Sequence, residues 1–154
     1  MIGECQMELV FRKINENNYK ELYELNELIG QLVEPVYDIE RLKEIVQKYN
    51  HREDAFLLVA EDKSCGKICG SLLGIIFDDY CGQCKPLMIL ENVIVHKDYQ
   101  HRGIGKSMFD KIEKWGKSRN VNYALLCSDM ERNGAHQFYR AIGCKEVKGF
   151  KKYM

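Results

Sequence analysis

Two glycines separated by one residue, with basic side chains around them, are the part of the sequence that most clearly indicates chemistry. Gly103 and Gly105 lie in the stretch VIVHKDYQHRGIGKSM, between an apolar run and a segment with helical spacing. A glycine turn that leads from a strand into a helix leaves backbone N–H groups unpaired, with the positive end of the helix dipole behind them. Three basic residues precede the first acid of this helix: His101, Arg102 and Lys106. The pattern therefore predicts a site for an anion such as a phosphate or pyrophosphate.

The letters GIGKS resemble two better-known phosphate-binding patterns, and the sequence fits neither. A nucleoside-triphosphate phosphate loop needs a glycine five residues before Gly105, where this chain has Gln100. The dinucleotide fingerprint needs a third glycine at the position of Met108. The alternative to an anion site is a plain helix start. Cations there would each cost about 0.3 to 1 kcal/mol against the helix dipole, and a bound anion reverses that sign.

The composition favours one domain without a general attraction for polyanions. The chain has 154 residues, of which 45% are hydrophobic, enough for one core and too few for two of ordinary size. Lys plus Arg and Asp plus Glu both number 23, so we expect neither a nucleic-acid nor a membrane partner. The start MIGECQMELV lacks the features of a secretion signal, and no stretch approaches the roughly 20 apolar residues of a membrane helix. We therefore expect one cytoplasmic domain over residues 1–154.

Hydrophobic periodicity predicts the elements that would position the glycine turn. Helices are predicted over 19–29, 39–49, 104–119 and 135–142. Strands are predicted over 7–14, 55–60, 67–77, 87–95 and 123–127, with one or two more from 145–153. Asp38 is expected to cap the second helix, and Gly143 to end the last. This order predicts an α/β fold, in which a mixed sheet has helices on both faces.

Two segments together resemble the GCN5-related N-acetyltransferase (GNAT) family. The run Gln100-His101-Arg102-Gly103-Ile104-Gly105 is similar to that family's acetyl-CoA pyrophosphate loop: Gln or Arg, two residues, Gly, any residue, then Gly or Ala. The later stretch RNGAHQFYRAIGCKEV resembles the family's last conserved segment, where an asparagine, a helix with Phe-Tyr and a glycine meet the pantetheine arm. The resemblance covers about the second half of the chain. It implies a central mixed, splayed sheet flanked by helices, which agrees with the predicted order of elements.

The resemblance also implies acetyl-CoA as the acetyl donor and identifies the residues that would bind it. These residues are Val93, Ile94, Val95, Gln100, His101, Arg102, Gly103, Ile104, Gly105, Lys106, Asn133 and Tyr139. The amides from 102 to 106 would hold the pyrophosphate, and backbone groups of 93 to 95 the pantetheine and acetyl carbonyl. Asn133 would bind the pantetheine amides, or cap the helix that follows. One departure is Cys144, where the family often has phenylalanine.

Two residues are candidates for the proton transfers that acetylation of an amine requires. Glu91 lies in an otherwise apolar strand, where burial would raise the pKa of its carboxyl towards that of a useful base. Family members that act on amino sugars have a glutamate at this position; the alternative is a glutamate satisfied by neighbouring backbone. Tyr139 follows Phe138 and is the candidate acid for the departing thiolate. Its alternative role is that of a core aromatic residue.

The cysteines offer a second kind of chemistry. The seven are Cys5, Cys65, Cys69, Cys81, Cys84, Cys127 and Cys144, an odd set that favours free thiols over a disulfide framework. The CGQC spacing of Cys81 and Cys84 suits a redox pair or half of a zinc site. Cys65 and Cys69 would lie about 30 Å away along a strand, too far to complete that site. A thioredoxin motif would need a helix where a strand is predicted, so we expect no metal site.

The sequence thus predicts an acetyl-CoA-dependent N-acetyltransferase in which the amine attacks the thioester directly. A small-molecule amine is the favoured acceptor, with amino sugars, polyamines, aminoglycosides, amino acids and protein amines all left open. The resemblance places the acceptor pocket near the first two helices and the loop 78–86. Residues there that could attract a cation are Glu34, Tyr37, Asp78, Asp79 and Asp129. A homodimer is left open, and the alternatives are a non-catalytic acetyl-CoA-binding module or a cysteine-based redox or zinc protein.

Overall fold

The fold is built on one open, mixed sheet. A computed structural model describes residues 7–154, so Cys5 and most of the N-terminal stretch examined for a signal lie outside the described residues. Within them the sheet order is β1-β2-β3-β4-β5. The strands are β1 Leu9–Lys13, β2 Ala55–Asp62, β3 Lys67–Phe77, β4 Leu87–Val95 and β5 Ala124–Leu126. The first four are antiparallel, and β5 pairs parallel with β4, which confirms the predicted mixed sheet.

Four α-helices flank this sheet in the described part of the chain. They are α1 Tyr19–Ile29, α2 Ile39–Asn50, α3 Ile104–Ser118 and α4 Asn133–Ala141. The predicted caps are confirmed: the Asp38 carboxylate accepts from the backbone N–H groups of Glu40 and Arg41, and Gly143 follows α4 with φ of 92°. None of the helices described within residues 7–154 is long and apolar enough to cross a membrane.

The helices cover opposite faces of the sheet and form two cores. On one face, which we call the α3 face, Leu72, Met88 and Leu90 of the strands pack with Met108 and Ile112 of α3 and with Tyr139 of α4. On the other, the α1 face, Leu73 and Ile94 pack with residues of α1 and α2. Because side chains alternate along a strand, neighbouring residues of β4 belong to different faces. This assignment of faces positions the candidate site residues below.

The prediction of further strands over 145–153 is wrong. Residues 145–154 have no regular structure, and their apolar side chains at Val147, Phe150 and Tyr153 are largely exposed. These residues are three apart, whereas a half-buried strand needs apolar residues two apart. β5 itself is shorter than predicted, with three residues against five, so it offers little edge to a further strand.

Candidate active site

The strands β4 and β5 separate in the middle of the sheet. Their parallel pairing joins Met88–Leu90 to Ala124–Leu126 and goes no further. On the opposite edge of β4, the register with β3 shifts between Leu73, which pairs with Glu91, and Ser71, which pairs with Ile94. Two residues of β4 therefore face one of β3, which defines a β-bulge, and Asn92 within it has a positive φ of 52°. Past Leu90 the side of β4 that faces away from β3 has no strand partner, which opens a slot in the sheet.

The glycine turn has the backbone geometry expected of an anion site. Gly103 occupies the N-cap position of α3 with φ of 79°, and no side chain caps the helix. The first backbone N–H of α3 that donates within the helix, among the described residues, is that of Ser107, to the Gly103 carbonyl at 3.0 Å. The preceding amides of Ile104, Gly105 and Lys106 are thus at the free helix end, and the first turn contains no acid. These donors and the helix dipole together favour a bound anion.

The basic side chains of the turn are held in defined positions. The Arg102 guanidinium lies 5.5 Å from the ring centroid of Tyr99, in cation–π contact. Lys106 Nζ is 3.1 Å from an Asp110 carboxylate oxygen, one turn further along α3. His101 is in the turn itself, exposed, with a left-handed φ of 62°. The turn therefore combines free amides with three basic side chains at one end of the helix.

The flanks of the turn tie it to the sheet. The Gln100 side-chain amide donates to the Val95 carbonyl at 3.2 Å, which joins the turn to the end of β4. The Ile104 side chain is buried in the core of the α3 face. Val93 and Val95 pack partly against that same core, and Ile94 against the core of the α1 face. The backbone of 93–95 thus lies at the open slot, where the sequence predicts contacts with the pantetheine arm.

Helix α4 packs directly against the start of α3. A Cβ atom built on Gly105 would lie only 3.1 Å from Cζ of Phe138, so the glycine allows the ring to contact the helix backbone. The Phe138 ring in turn makes edge contacts with Phe109 and Tyr139 at centroid distances of 5.6 and 5.5 Å. This aromatic cluster places Tyr139 beside the slot on the α3 face. The motif residues of the two sequence segments are thereby brought together.

Tyr139 is buried, with 8% of its surface exposed. Burial raises the pKa of its phenol above the ordinary value of 10, because the phenolate would lose its hydration. Its hydroxyl therefore stays protonated at neutral pH and is able to donate a proton.

Asn133 is the first residue of α4 rather than its cap: Arg132 occupies the N-cap position, and no side chain caps that end. The capping alternative for Asn133 is thus wrong, and its exposed amide is free of that role.

The expected burial of Glu91 is wrong. Glu91 is exposed, as are Asn92 and Ile89 on the same strand. Its cross-strand partner Leu73 belongs to the core of the α1 face, so Glu91 lies on that face, beyond the region that α1 and α2 cover. The physical reason is that α1 and α2 pack mainly on β3 and β2, which leaves this part of β4 uncovered on the α1 face. The chemical role of Glu91 stays a prediction, without support from burial.

The exposed part of the α1 face forms a platform around Glu91. Paired residues share a face, which places Phe77, Ile89 and Leu125 on the same side as Glu91. All three apolar side chains are exposed, between 37% and 42%. We call these four residues the open platform. Glu34, Tyr37, Asp78 and Asp129 are exposed in the surrounding segments, and Asp79 is half-buried.

Two features of the site carried little or no signal in the sequence. The Tyr99 ring contacts the Arg102 guanidinium. In the sequence Tyr99 is one aromatic residue just before the glycine turn, and its type alone does not indicate this contact. The Ser128 hydroxyl, two residues past β5, is buried and has no hydrogen-bond partner among the described residues. Its position follows from the separation of the two strands, which sequence spacing does not reveal. Tyr99 precedes the glycine turn, and Ser128 follows β5, one of the two strands that border the slot.

Comparison with known proteins agrees with this fold. Residues 19–144 match the acetyltransferase (GNAT) family, which is more than half of the chain, so the protein belongs to that family. The family assignment makes it an N-acetyltransferase, with acetyl-CoA as the acetyl donor. Among curated protein sequences no match was found.

Solved structures share the fold at low sequence identity. An acetyltransferase of Trypanosoma brucei has a TM-score of 0.80 and 22% identity, over 96% of this chain and 99% of that one. Glucosamine-6-phosphate N-acetyltransferase from Arabidopsis thaliana has a TM-score of 0.81 and 21% identity, over 95% and 98%. The enzyme AAC(6')-Iy, in complex with the bisubstrate analogue CoA-S-monomethyl-acetylneamine, has a TM-score of 0.77 and 19% identity, over 96% and 97%. At these identities the likeness shows the shared fold.

Proposed function

We propose that the protein acetylates a primary amine of a small molecule by direct attack on acetyl-CoA, with Glu91 as base and Tyr139 as acid. One observation carries this proposal. Glu91 lies on the α1 face and Tyr139 on the α3 face, at the point where β4 and β5 separate. A thioester seated in the slot would have the base on one side and the acid on the other. The amine would add to the thioester carbonyl to give a tetrahedral intermediate, which then releases the thiolate; Glu91 would take the proton of the amine and Tyr139 would protonate the thiolate.

The donor side of the proposal rests on the glycine turn and the slot. Acetyl-CoA, when bound, supplies the acetyl thioester. The amides from 102 to 106 would bind its pyrophosphate, with Gln100, His101 and Arg102 next to them. Backbone groups of 93–95 would hold the pantetheine and polarise the acetyl carbonyl, since this stretch of β4 has no β5 partner. Asn133, free of a capping role, would bind the pantetheine amides.

The acceptor side of the proposal rests on the open platform. Phe77, Ile89 and Leu125 offer apolar contact to the carbon skeleton of an amine, and Glu91 offers the carboxylate for its ammonium group. Because Glu91 is exposed, it would take the proton from the ammonium directly or through water. Two of the solved structures described above are named as acting on, or bound to, small sugar amines, which supports a small-molecule acceptor.

The proposal is tested by thiol release from acetyl-CoA in the presence of a panel of amines, with calorimetric titration of acetyl-CoA alongside. Glu91→Gln should lower kcat by about 100-fold or more, the usual contribution of a general base, without changing the affinity for acetyl-CoA. Gly103→Glu should abolish acetyl-CoA binding, because the side chain strains a left-handed position and repels the pyrophosphate. The matched control for the loss of a carboxylate is Glu44→Gln, an exposed residue of α2 that pairs with Arg41.

The outcomes separate the candidate functions. Acetyl-CoA binding without thiol release for any amine in the panel would favour the non-catalytic binding module. Wild-type turnover in Glu91→Gln would reject Glu91 as the base and leave the transferase assignment intact. The acceptor, the cytoplasmic location, the single-domain organisation over 1–154 and a homodimer stay predictions.

A further inference from the structure

Cys81 and Cys84 lie at the two ends of one tight turn, in the loop that joins β3 to β4. The Cys84 N–H donates to the Cys81 carbonyl at 3.0 Å, and Gly82, the first central residue, has a positive φ of 57°. A four-residue turn of this kind holds its end Cα atoms within about 7 Å of each other. Disulfides span Cα separations of about 4.4–6.8 Å. The turn therefore keeps the two Cα atoms below the separation of about 7 Å beyond which a disulfide cannot form without movement of the backbone.

Both thiols are accessible and have few contacts to lose. Cys81 and Cys84 are exposed, and Cys84 Sγ makes a weak hydrogen bond to the Tyr80 carbonyl, at 3.8 Å. Cys69 provides the contrast, because it is buried in β3 and donates to the Ala60 carbonyl at 3.3 Å. Burial also raises the pKa of the Cys69 thiol to about 11, so its thiolate is scarce at neutral pH. Of these three cysteines, Cys81 and Cys84 in the turn are therefore the ones placed to react.

Metal binding fits this pair less well. Structural zinc sites take four ligands. No group of three or more metal-ligating side chains occurs among residues 7–154. The two cysteines therefore lack the remaining ligands within the part of the chain that the structure describes, and a bond between the two sulfurs is the chemistry that the turn itself completes.

We propose that Cys81 and Cys84 form a reversible dithiol–disulfide site that exchanges with low-molecular-weight disulfides. The thiolate of one cysteine attacks the sulfur–sulfur bond of the small disulfide, forming a mixed disulfide and releasing one small thiolate. The second cysteine then attacks the mixed disulfide, the Cys81–Cys84 bond forms, and the second small thiolate leaves. The two protein thiols are oxidised, the small disulfide is reduced to two thiols, and the two cysteine protons pass to the released thiolates.

The position of the turn links this site to the acceptor side. Its loop follows Phe77 and precedes β4, so it borders the open platform, and it carries Asp78 and Asp79. A Cys81–Cys84 bond would fix the turn, including the left-handed backbone of Cys84 at φ 52°. A fixed loop has fewer conformations with which to close over an amine, so oxidation should raise KM for the acceptor. This consequence rests on the proposed function, whereas the bond itself does not.

The bond is tested by equilibrating the reduced protein with glutathione at increasing fractions of oxidised glutathione. Intact mass and peptide mapping of the alkylated protein should show loss of two hydrogen atoms, located at Cys81 and Cys84 and reversed by dithiothreitol. Cys81→Ser and Cys84→Ser should each prevent it and retain glutathione as a mixed disulfide. The matched control Cys144→Ser, an exposed cysteine outside the loop, should form the bond normally. A wild-type protein that keeps both thiols, or that stops at the mixed disulfide, would overturn the proposal.

The link to the acceptor is tested separately by initial rates of the reduced and oxidised forms. We expect KM for the acceptor to rise about threefold or more on oxidation, with KM for acetyl-CoA unchanged within about twofold. The same treatment should leave both constants unchanged in the double variant Cys81→Ser/Cys84→Ser, which has neither thiol of the turn and so retains no glutathione there. An unchanged acceptor KM in the oxidised wild type would overturn the link. Absence of turnover in both forms would count against the proposed function alone, since the mass measurement needs no activity.

Discussion

Gly105 at the start of α3 lies against the ring of Phe138 in α4, so closely that a Cβ atom there would be 3.1 Å from Cζ. The ring has little room to move, because Phe109 and Tyr139 contact it from the sides. Gly105→Ala would gain about 0.5–1 kcal/mol of helix propensity. It would lose about 1–3 kcal/mol through overpacking. We therefore expect a net destabilisation of about 1 kcal/mol in denaturant unfolding.

The matched test is a double-variant cycle with Phe138→Leu, which removes the ring atoms that clash. In that background Gly105→Ala should become neutral or stabilising, because only the helix-propensity gain remains. A stabilising Gly105→Ala in the wild-type background would contradict the close contact.

Tyr139→Phe tests the proposed acid with almost no change of shape. We expect kcat to fall by about 100-fold or more, while acetyl-CoA affinity is retained through the aromatic ring. Burial raises the pKa of the wild-type phenol above its ordinary value near 10, so the phenol stays protonated through the neutral range. The ratio of wild-type to variant kcat should therefore stay constant between about pH 6 and 9. This ratio is measured by stopped-flow or steady-state assays of thiol release. Full activity of Tyr139→Phe would show that water, rather than Tyr139, supplies the proton.

The contact of Arg102 with Tyr99 should contribute to donor binding. Tyr99→Leu removes the ring and should weaken acetyl-CoA binding by about two- to fivefold, the equivalent of a cation–π contact of about 0.5–1 kcal/mol. Tyr99→Phe keeps the ring and should bind normally, although it loses the 3.6 Å contact of the hydroxyl with Cys65 Sγ.

Calorimetry of the Tyr99→Leu and Arg102→Ala variants, alone and combined, checks this prediction. If the ring acts by holding the guanidinium, Tyr99→Leu causes no further loss once Arg102 is absent. Equal losses in both backgrounds would assign Tyr99 a general structural role. An acetyl-pantetheine donor without the pyrophosphate should bind all four proteins equally weakly.

The Arg12 ion-pair network should make stability depend on pH in the acid range. Arg12 contacts Glu21 at 2.9 Å and Glu61 at 2.8 Å, and joins β1 to β2 and α1. Burial acts to raise the pKa of Glu21, but hydrogen bonds from Arg12 and the Asn15 N–H outweigh it and lower that pKa. Because the pKa of Glu21 is lower in the folded than in the unfolded protein, its carboxylate stabilises the folded state at pH values above the unfolded pKa near 4.5. This contribution is lost as pH falls through the folded pKa.

Urea unfolding of Glu21→Gln should therefore show a loss of about 1–3 kcal/mol at pH 7, the scale of a charge-assisted hydrogen bond. The difference from wild type should shrink as the pH falls below about 4. Glu44→Gln, which breaks the exposed pair with Arg41, should change stability by less than about 0.5 kcal/mol at either pH. A pH-independent loss in Glu21→Gln would mean that packing, rather than charge, explains it.

Much of the fold was predictable because its strongest signals are local. The bounds of β3 and β4 match their predictions, since each is an apolar run between turn-forming residues. The Asp38 cap and the glycine turn were also predictable, because both depend on residues within a few positions along the chain. The signal fails at 145–154, where apolar residues three apart do not fit the predicted strand, which needs apolar residues two apart.

The parts of the site that sequence reasoning missed depend on contacts between distant elements. Burial of Glu91 was inferred from the apolar character of β4, but exposure is decided by how far α1 and α2 extend over the sheet. The close approach of Gly105 and Phe138 arises from the packing of α4 on α3, although both residues belonged to recognised motifs. Ser128 follows Leu126, where the pairing of β5 with β4 stops, and its burial depends on the packing around that strand end. A single sequence contains no direct measure of such distances.

The placement of the glycine turn and Tyr139 on the α3 face, and of the open platform on the α1 face, has a consequence for how such a protein changes over time. Substitutions in the platform or in the 78–86 loop leave α3, α4 and their aromatic cluster untouched. A change of acceptor therefore does not require a change of donor. The donor side and the proposed acceptor side meet at the slot between β4 and β5. Substitutions at the slot would therefore be more constrained than substitutions in the platform or the loop.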